Sequence, residues 1–178
     1  LRRDFLKLGA VVTGVLINPF PVMAAKDPES APFKNLAFYN THTREHLHIN
    51  YCRKGKYDAT ALKKINYILR DHRSREVKAI DIRLLDLLHG LSLKTNPKAP
   101  FHIISGYRSP STNKKLRKKS KGVASRSLHM FGKAIDIRIP GYNTRQLRDT
   151  ARKMRAGGVG YYPKSDFVHV DTGRVRYW

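Results

Sequence analysis

Ser127-Leu-His-Met-Phe-Gly-Lys-Ala-Ile-Asp136 and Asp166-Phe-Val-His-Val-Asp171 decide how this chain folds. Both end in alternating residue types, the period of a strand with two unlike faces. In Ala134-Ile-Asp-Ile-Arg138, Asp136 shares a face with Ala134 and Arg138, and Ile135 and Ile137 point the other way. In the second stretch His169 shares its face with Phe167 and Asp171, opposite Val168 and Val170. Two such strands can bring an imidazole and a carboxylate together. His129 lies seven positions before Asp136. Fully extended chain would hold them about 23 Å apart, so His129 can join only through a fold-back. Gly132 supplies the conformational freedom for that turn.

Two histidines and one carboxylate make a zinc set with one coordination position open, which marks a catalytic site, because structural zinc is closed by four protein ligands. Zinc lowers the pKa of its bound water to about 7 and polarises a carbonyl. The same spacing also suits an ordinary turn holding a hydrogen-bonded His and Asp. A second histidine group, His42, His46 and His48, reads differently. Leu47, Ile49 and Tyr51 alternate with His46, His48 and Asn50, so these imidazoles read as solvated strand residues.

Working outward, Lys34–Tyr39 and Glu45–Tyr51 read as a β-hairpin around Asn40-Thr-His-Thr43. Asp58 and Asp81 cap helices expected to run to about Arg70 and Leu91, each with a leucine or isoleucine stripe. Phe101–Gly106 reads as a strand and Ser111–Ser120 as a helix. Lys133–Ile139 is a strand, and a helix from Asn143 closes at Gly157-Gly158. Strands at Val159–Tyr162 and Phe167–Asp171 finish the chain. The expectation is a single α+β domain, a mainly antiparallel sheet with helices packed around it.

The 178 residues carry 36 lysines and arginines against 13 acids, a net charge of +23. No apolar run reaches the roughly 20 residues of a membrane span. With Cys52 the single cysteine, an intrachain disulfide framework and a cysteine-rich zinc module are excluded. Leu1-Arg-Arg-Asp-Phe-Leu-Lys7, the uncharged stretch to Ile17 and the small residues of Val22-Met-Ala-Ala25 follow the plan of an export signal. The paired arginines resemble the twin-arginine type. Residues 1–25 are therefore expected to be a cleaved leader, 26–33 a linker and 34–178 the working domain. The leader accounts for +2 of the charge and leaves +21 on the remainder. So basic a domain would ordinarily meet nucleic acid, but export removes it from reach. Phospholipid surfaces, acidic glycans and the peptide-bearing cell wall remain. The most basic stretch, Lys114 to Arg126, reads either as a solvated helix face or as a rim that attracts carboxylates.

The string Ser127-x-His129-x-x-Gly132-x-Ala134-x-Asp136 resembles the first zinc motif of D-alanyl-D-alanine carboxypeptidases and VanX-type dipeptidases. With Ser105-Gly-Tyr-Arg-Ser109, Gly157-Gly-Val-Gly-Tyr-Tyr-Pro163, Phe167-Val-His-Val-Asp-Thr-Gly173 and the leader, the chain resembles the YcbK-like murein endopeptidases of Gram-negative bacteria. The resemblance implies a hedgehog/D,D-peptidase-like fold and one zinc ion per chain, held by His129, Asp136 and His169. It implies Arg108 as a transition-state stabiliser, and Asp166 as general base with Asp171 as the rival base or ligand-orienting acid. Its implied substrate is the peptidoglycan stem peptide in the periplasm, cleaved at cross-links between two diaminopimelate residues. A D,D-carboxypeptidase or dipeptidase and a non-catalytic wall binder are the alternatives.

Overall fold

Eight strands form one sheet in the computed structural model, which describes residues 33–120 and 122–178. The expected leader, 1–25, and the linker residues 26–32 lie outside the described residues. The strands are β1 (Lys34–Asn40), β2 (His46–Arg53), β3 (Lys56–Tyr57), β4 (Phe101–Ser105), β5 (Ala134–Arg138), β6 (Gly158–Tyr162), β7 (Phe167–Asp171) and β8 (Arg176–Tyr177). Their order is β3-β2-β1-β4-β5-β7-β6-β8. Only β1–β4 and β6–β8 pair in parallel, so the expected antiparallel α+β architecture holds. The two-residue strands β3 and β8 are additions that sequence alternation is too short to reveal.

Four helices complete the domain: α1 (Ala59–Ile68), α2 (Ile82–Thr95), α3 (Pro110–Lys119) and α4 (Thr144–Met154). Each starts on a side chain that accepts from its first free N–H groups: Asp58, Asp81, Ser109 and Asn143. Such caps are each worth about 1 kcal/mol. Helix α2 runs one turn past the expected Leu91, because Leu91–Thr95 continues the pattern until Asn96 turns left-handed (φ 43°) ahead of Pro97. Helix α4 ends on Arg155 (φ 51°) and not on the Gly157-Gly158 pair. Those glycines instead allow the close approach of Asp171.

Ile135, Ile137, Val168 and Val170 are fully buried and join Leu84, Leu88 and Leu147 in the core. Helix α2 lies against β1 and α4, and α4 against β6 and β7. The apolar side of the central strands is thereby closed. Asp136, His169 and Asp171 are on the other side by the two-residue period of the same strands.

Candidate metal centre

Register brings the first two candidates together. Strands β5 and β7 pair so that Asp136 stands directly opposite His169, and Ala134 opposite Asp171. His169 Nδ1 is 2.8 Å from Asp136 Oδ1. The third arrives by a fold-back: residues Leu128–Phe131 form a 3-10 turn that Gly132 ends at φ +64°. A Cβ there would lie 2.4 Å from the Ala79 carbonyl oxygen, so glycine alone fits both the conformation and the space. The turn places His129 Nε2 at 3.2 Å from His169 Nδ1 and 3.3 Å from Asp136 Oδ1. All three residues are buried, and they are the one such group of potential ligands found among the described residues.

Partners behind the rings fix which nitrogens face inward. His129 Nδ1 lies 2.7 Å from the Gly106 carbonyl oxygen, which can only accept, so the proton sits on Nδ1 and Nε2 presents a lone pair. His169 Nε2 lies 3.0 Å from the buried Asp171 carboxylate and donates to it, which leaves Nδ1 facing Asp136. A proton on His169 Nδ1 would satisfy Asp136 but not His129. A cation would serve all three. A tetrahedral ion with bonds of about 2.0–2.1 Å separates its ligand atoms by about 3.3 Å, close to the 2.8–3.3 Å edges found here. The nitrogen and oxygen donors fit a zinc-like ion.

Charge around the cluster acts on its three ionisable groups in different ways. Burial pushes the His129 imidazole below its ordinary pKa, favouring the neutral ligand form. Burial alone would raise the Asp136 carboxyl, but His129 and His169 outweigh it and hold it far below the carboxylate range. For His169, burial opposes the charge, and hydrogen bonds to Asp136 and Asp171 override it and raise the pKa. Arg108 donates from Nη2 to the second oxygen of Asp136 at 2.5 Å and from Nε to Ser105 Oγ at 2.8 Å. Its guanidinium thus braces the acid of the cluster.

The two candidate bases are placed very differently. Asp171 is fully buried, and both its oxygens are occupied. Oδ1 accepts from the backbone of Gly158 and Gly173, and Oδ2 from His169 and from Arg176 at 2.7 Å. Burial would raise its pKa, but these donors carry it well below the usual range. Gly157 and Gly158 make this possible. A Cβ on Gly157 would lie 1.8 Å from the Asp171 carbonyl oxygen, and one on Gly158 2.5 Å from Oδ2. Asp166 is not brought to the cluster. It caps a 3-10 turn at Pro163–Ser165 in a left-handed conformation (φ 49°). There its carboxylate accepts from Thr144 and stands 3.6 Å from Arg138, 60% exposed.

A cavity of about 390 Å³ opens over the cluster, lined in part by Arg108, Arg126, Tyr162, Arg176 and Trp178. Asp136 is the one acid among its lining residues. Tyr162 stacks on Phe167 with centroids 4.5 Å apart, and the Trp178 ring stands 5.3 Å from His169. Trp178 Nε1 donates to the Tyr162 hydroxyl. Sequence reading assigned no site role to Arg176, Tyr162 or Trp178. The closely spaced glycines beside them were the available sign, since glycine within a strand marks close approach by other groups.

The chain matches the model of one protein family, described as peptidoglycan L,D-endopeptidase MepK, over residues 28–178. It is 41% identical over 177 residues to the peptidoglycan L,D-endopeptidase MepK of Escherichia coli K12, covering 99% of this chain and 96% of that one. The same identity and coverage relate it to the protein of that name in Shigella flexneri. To the probable peptidoglycan L,D-endopeptidase MepK of Haemophilus influenzae it is 38% identical over 178 residues, with 99% and 95% of the two chains covered. No solved structure gives a significant match.

Proposed function

The chain belongs to the Peptidase_M15_2 family, as a metallopeptidase acting on peptidoglycan, and on that premise we propose a zinc endopeptidase that opens cross-links between two diaminopimelate residues. The observation that carries the reading is the triangle of His129 Nε2, Asp136 Oδ1 and His169 Nδ1, with edges of 2.8–3.3 Å. These residues would hold one zinc ion. When bound, the ion supplies a water of lowered pKa and a Lewis acid for the scissile carbonyl.

The chain's own groups prepare that chemistry. Gly106 and Asp171 hold the two imidazoles in the tautomers that turn a lone pair inward, as partners behind metal-ligating histidines do. Arg108 keeps Asp136 aimed, and its place on the cavity wall offers the same guanidinium to an oxyanion or a substrate carboxylate. Asp171, with no exposed surface and no vacant oxygen, works through His169 as a positioning residue. Asp166 faces Thr144 and Arg138 and takes no part in proton transfer on this reading. The aromatic wall of Tyr162, Phe167 and Trp178 shields the cluster and suits the aliphatic parts of a stem peptide.

No helix among the described residues is long and apolar enough to cross a membrane. Residues 1–25 as a twin-arginine leader would deliver the folded domain to the periplasm, where its substrate lies. Chromatography of cross-link-defined muropeptides tests the reading. Cleavage of the diaminopimelate–diaminopimelate dimer, abolished by a chelator and by His129→Ala, is the expected result. Release of terminal D-alanine instead would make the protein a carboxypeptidase. Sacculus binding without any cleavage would make it a wall binder.

A further inference from the structure

Between Leu87 and Ile135 the chain has eleven lysines and arginines and no acid. Five of these cations lie on α3: Lys114, Lys115, Arg117, Lys118 and Lys119, all exposed. No ion pair among the described residues reaches any of them or Arg126. Several cations elsewhere are matched, as in Lys34–Asp86, Arg70–Glu45, Arg148–Asp149 and Arg176–Asp171. The fold gains little from the concentration. Arg117, Lys118 and Lys119 suit the negative end of a helix, but Lys114 and Lys115 are in its middle. The pairs Lys114/Lys118 and Lys115/Lys119, four residues apart, repel each other.

The helix is also held rigidly beside the metal centre. Arg108, which braces Asp136, directly precedes its cap, Ser109. The Ser109 N–H donates to the buried Asp71 carboxylate, and Asn113 Nδ2 donates to the carbonyl oxygens of Ala124 and Ser125. Ser120, Val123, Ala124 and Arg126, which continue the chain from α3, line the cavity over the cluster. The C-terminal end of α3, with Arg117, Lys118 and Lys119, therefore runs directly into the wall of the cavity.

We propose that α3 and Arg126 form an electrostatic docking strip that holds a carboxylate-bearing peptide polymer and feeds it into the cavity. The inference rests on the peptidoglycan reading and adds a second contact region to it. A peptide network with repeated free carboxylates matches a row of unpaired cations continuous with a peptidase cavity. A lipid surface matches it less well. None of the large exposed apolar side chains, such as Leu93, Phe131 and Trp178, lies on α3, so the helix lacks the apolar face that seats an interfacial helix.

The test compares the full domain with a variant in which Lys114, Lys115, Lys118 and Lys119 are all changed to Gln, and with a second in which they are changed to Glu. Co-sedimentation with purified sacculi is measured from low to high salt, beside kcat on a short soluble cross-linked dimer. The strip predicts that sacculus binding weakens about tenfold with Gln and further with Glu, that its salt dependence flattens, and that kcat on the dimer stays within about twofold. Unchanged sacculus binding in the Glu variant overturns the proposal. So does wild-type binding to vesicles containing phosphatidylglycerol that equals binding to sacculi and is lost in the same variants. Absence of dimer cleavage by the wild type would instead refute the enzymatic reading, while the sedimentation result still decides the strip.

Discussion

The domain contains two pairs of histidine rings in contact, and only one of them resembles a metal site. His129 and His169 meet at 5.0 Å between centroids, inclined by 62°. His42 and His72 stack face to face at 3.7 Å and 15°. The first pair has Asp136 between its nitrogens and Asp171 behind it. Around the second, the charges are mainly cationic: burial first, then His42 and Arg73, lower His72 to about 4. Asp71, the acid beside it, spends its oxygens on the backbone N–H groups of Arg73, Ser74 and Ser109. Proximity of imidazoles is thus insufficient. The Gly106 carbonyl and Asp171, which fix the tautomers, and Asp136, which balances the charge, make a candidate ligand set out of one pair, and the other is left a stacking contact.

The largest effect should come from breaking the first pair. His129→Ala or His169→Ala should remove bound zinc and lower cross-link cleavage by on the order of 10³-fold, the scale of losing a preorganised electrophile. His72→Ala should leave zinc content and kcat within about twofold of the wild type. Zinc analysis and muropeptide chromatography on the same samples check both. A smaller loss is expected behind the pair. Asp171→Asn retains the shape but replaces an acceptor by a donor toward His169 and Arg176, and should weaken zinc binding about 10–100-fold. Asp166→Asn, read by the same competition with a chelator, should change affinity and kcat by no more than about twofold.

That contrast between Asp171 and Asp166 also marks the limit of what the sequence disclosed. The period of two places Asp136 and His169 on the polar faces of their strands, and the helix starts at Asp58, Asp81 and Asn143 are readable from local chemistry, whereas α3 starts on Ser109 and not at the expected Ser111. Alternation does not set how far β5 slides along β7, so the direct Asp136–His169 pairing emerges only from the fold. Asp166 sits three residues before His169, a natural place for a base. The left-handed turn at φ 49° tips its carboxylate toward Thr144 and Arg138, and only the backbone reveals this. Arg176 lies in the two-residue strand β8 and Trp178 directly follows it, and the parallel pairing of β8 with β6 has no short-range signal.

The smallest effect separates the two pairs by acid. The folded His72 pKa of about 4 lies below its ordinary 6.5, so the unfolded chain binds the extra proton first. This group's contribution to stability is intact above pH 6.5 and is lost as pH falls toward 4. Urea unfolding of the wild type should therefore lose more stability across that window than His72→Gln does. Equal losses in the two proteins would show that the stacked pair tolerates charge after all.

X-ray absorption at the zinc edge, on the purified domain loaded with one equivalent of zinc, addresses the centre itself. Two imidazole nitrogens and a carboxylate oxygen at about 2.0–2.1 Å, with one further light ligand, are the spectrum this account predicts. A spectrum without imidazole scattering, or one unchanged by His169→Ala, would contradict it.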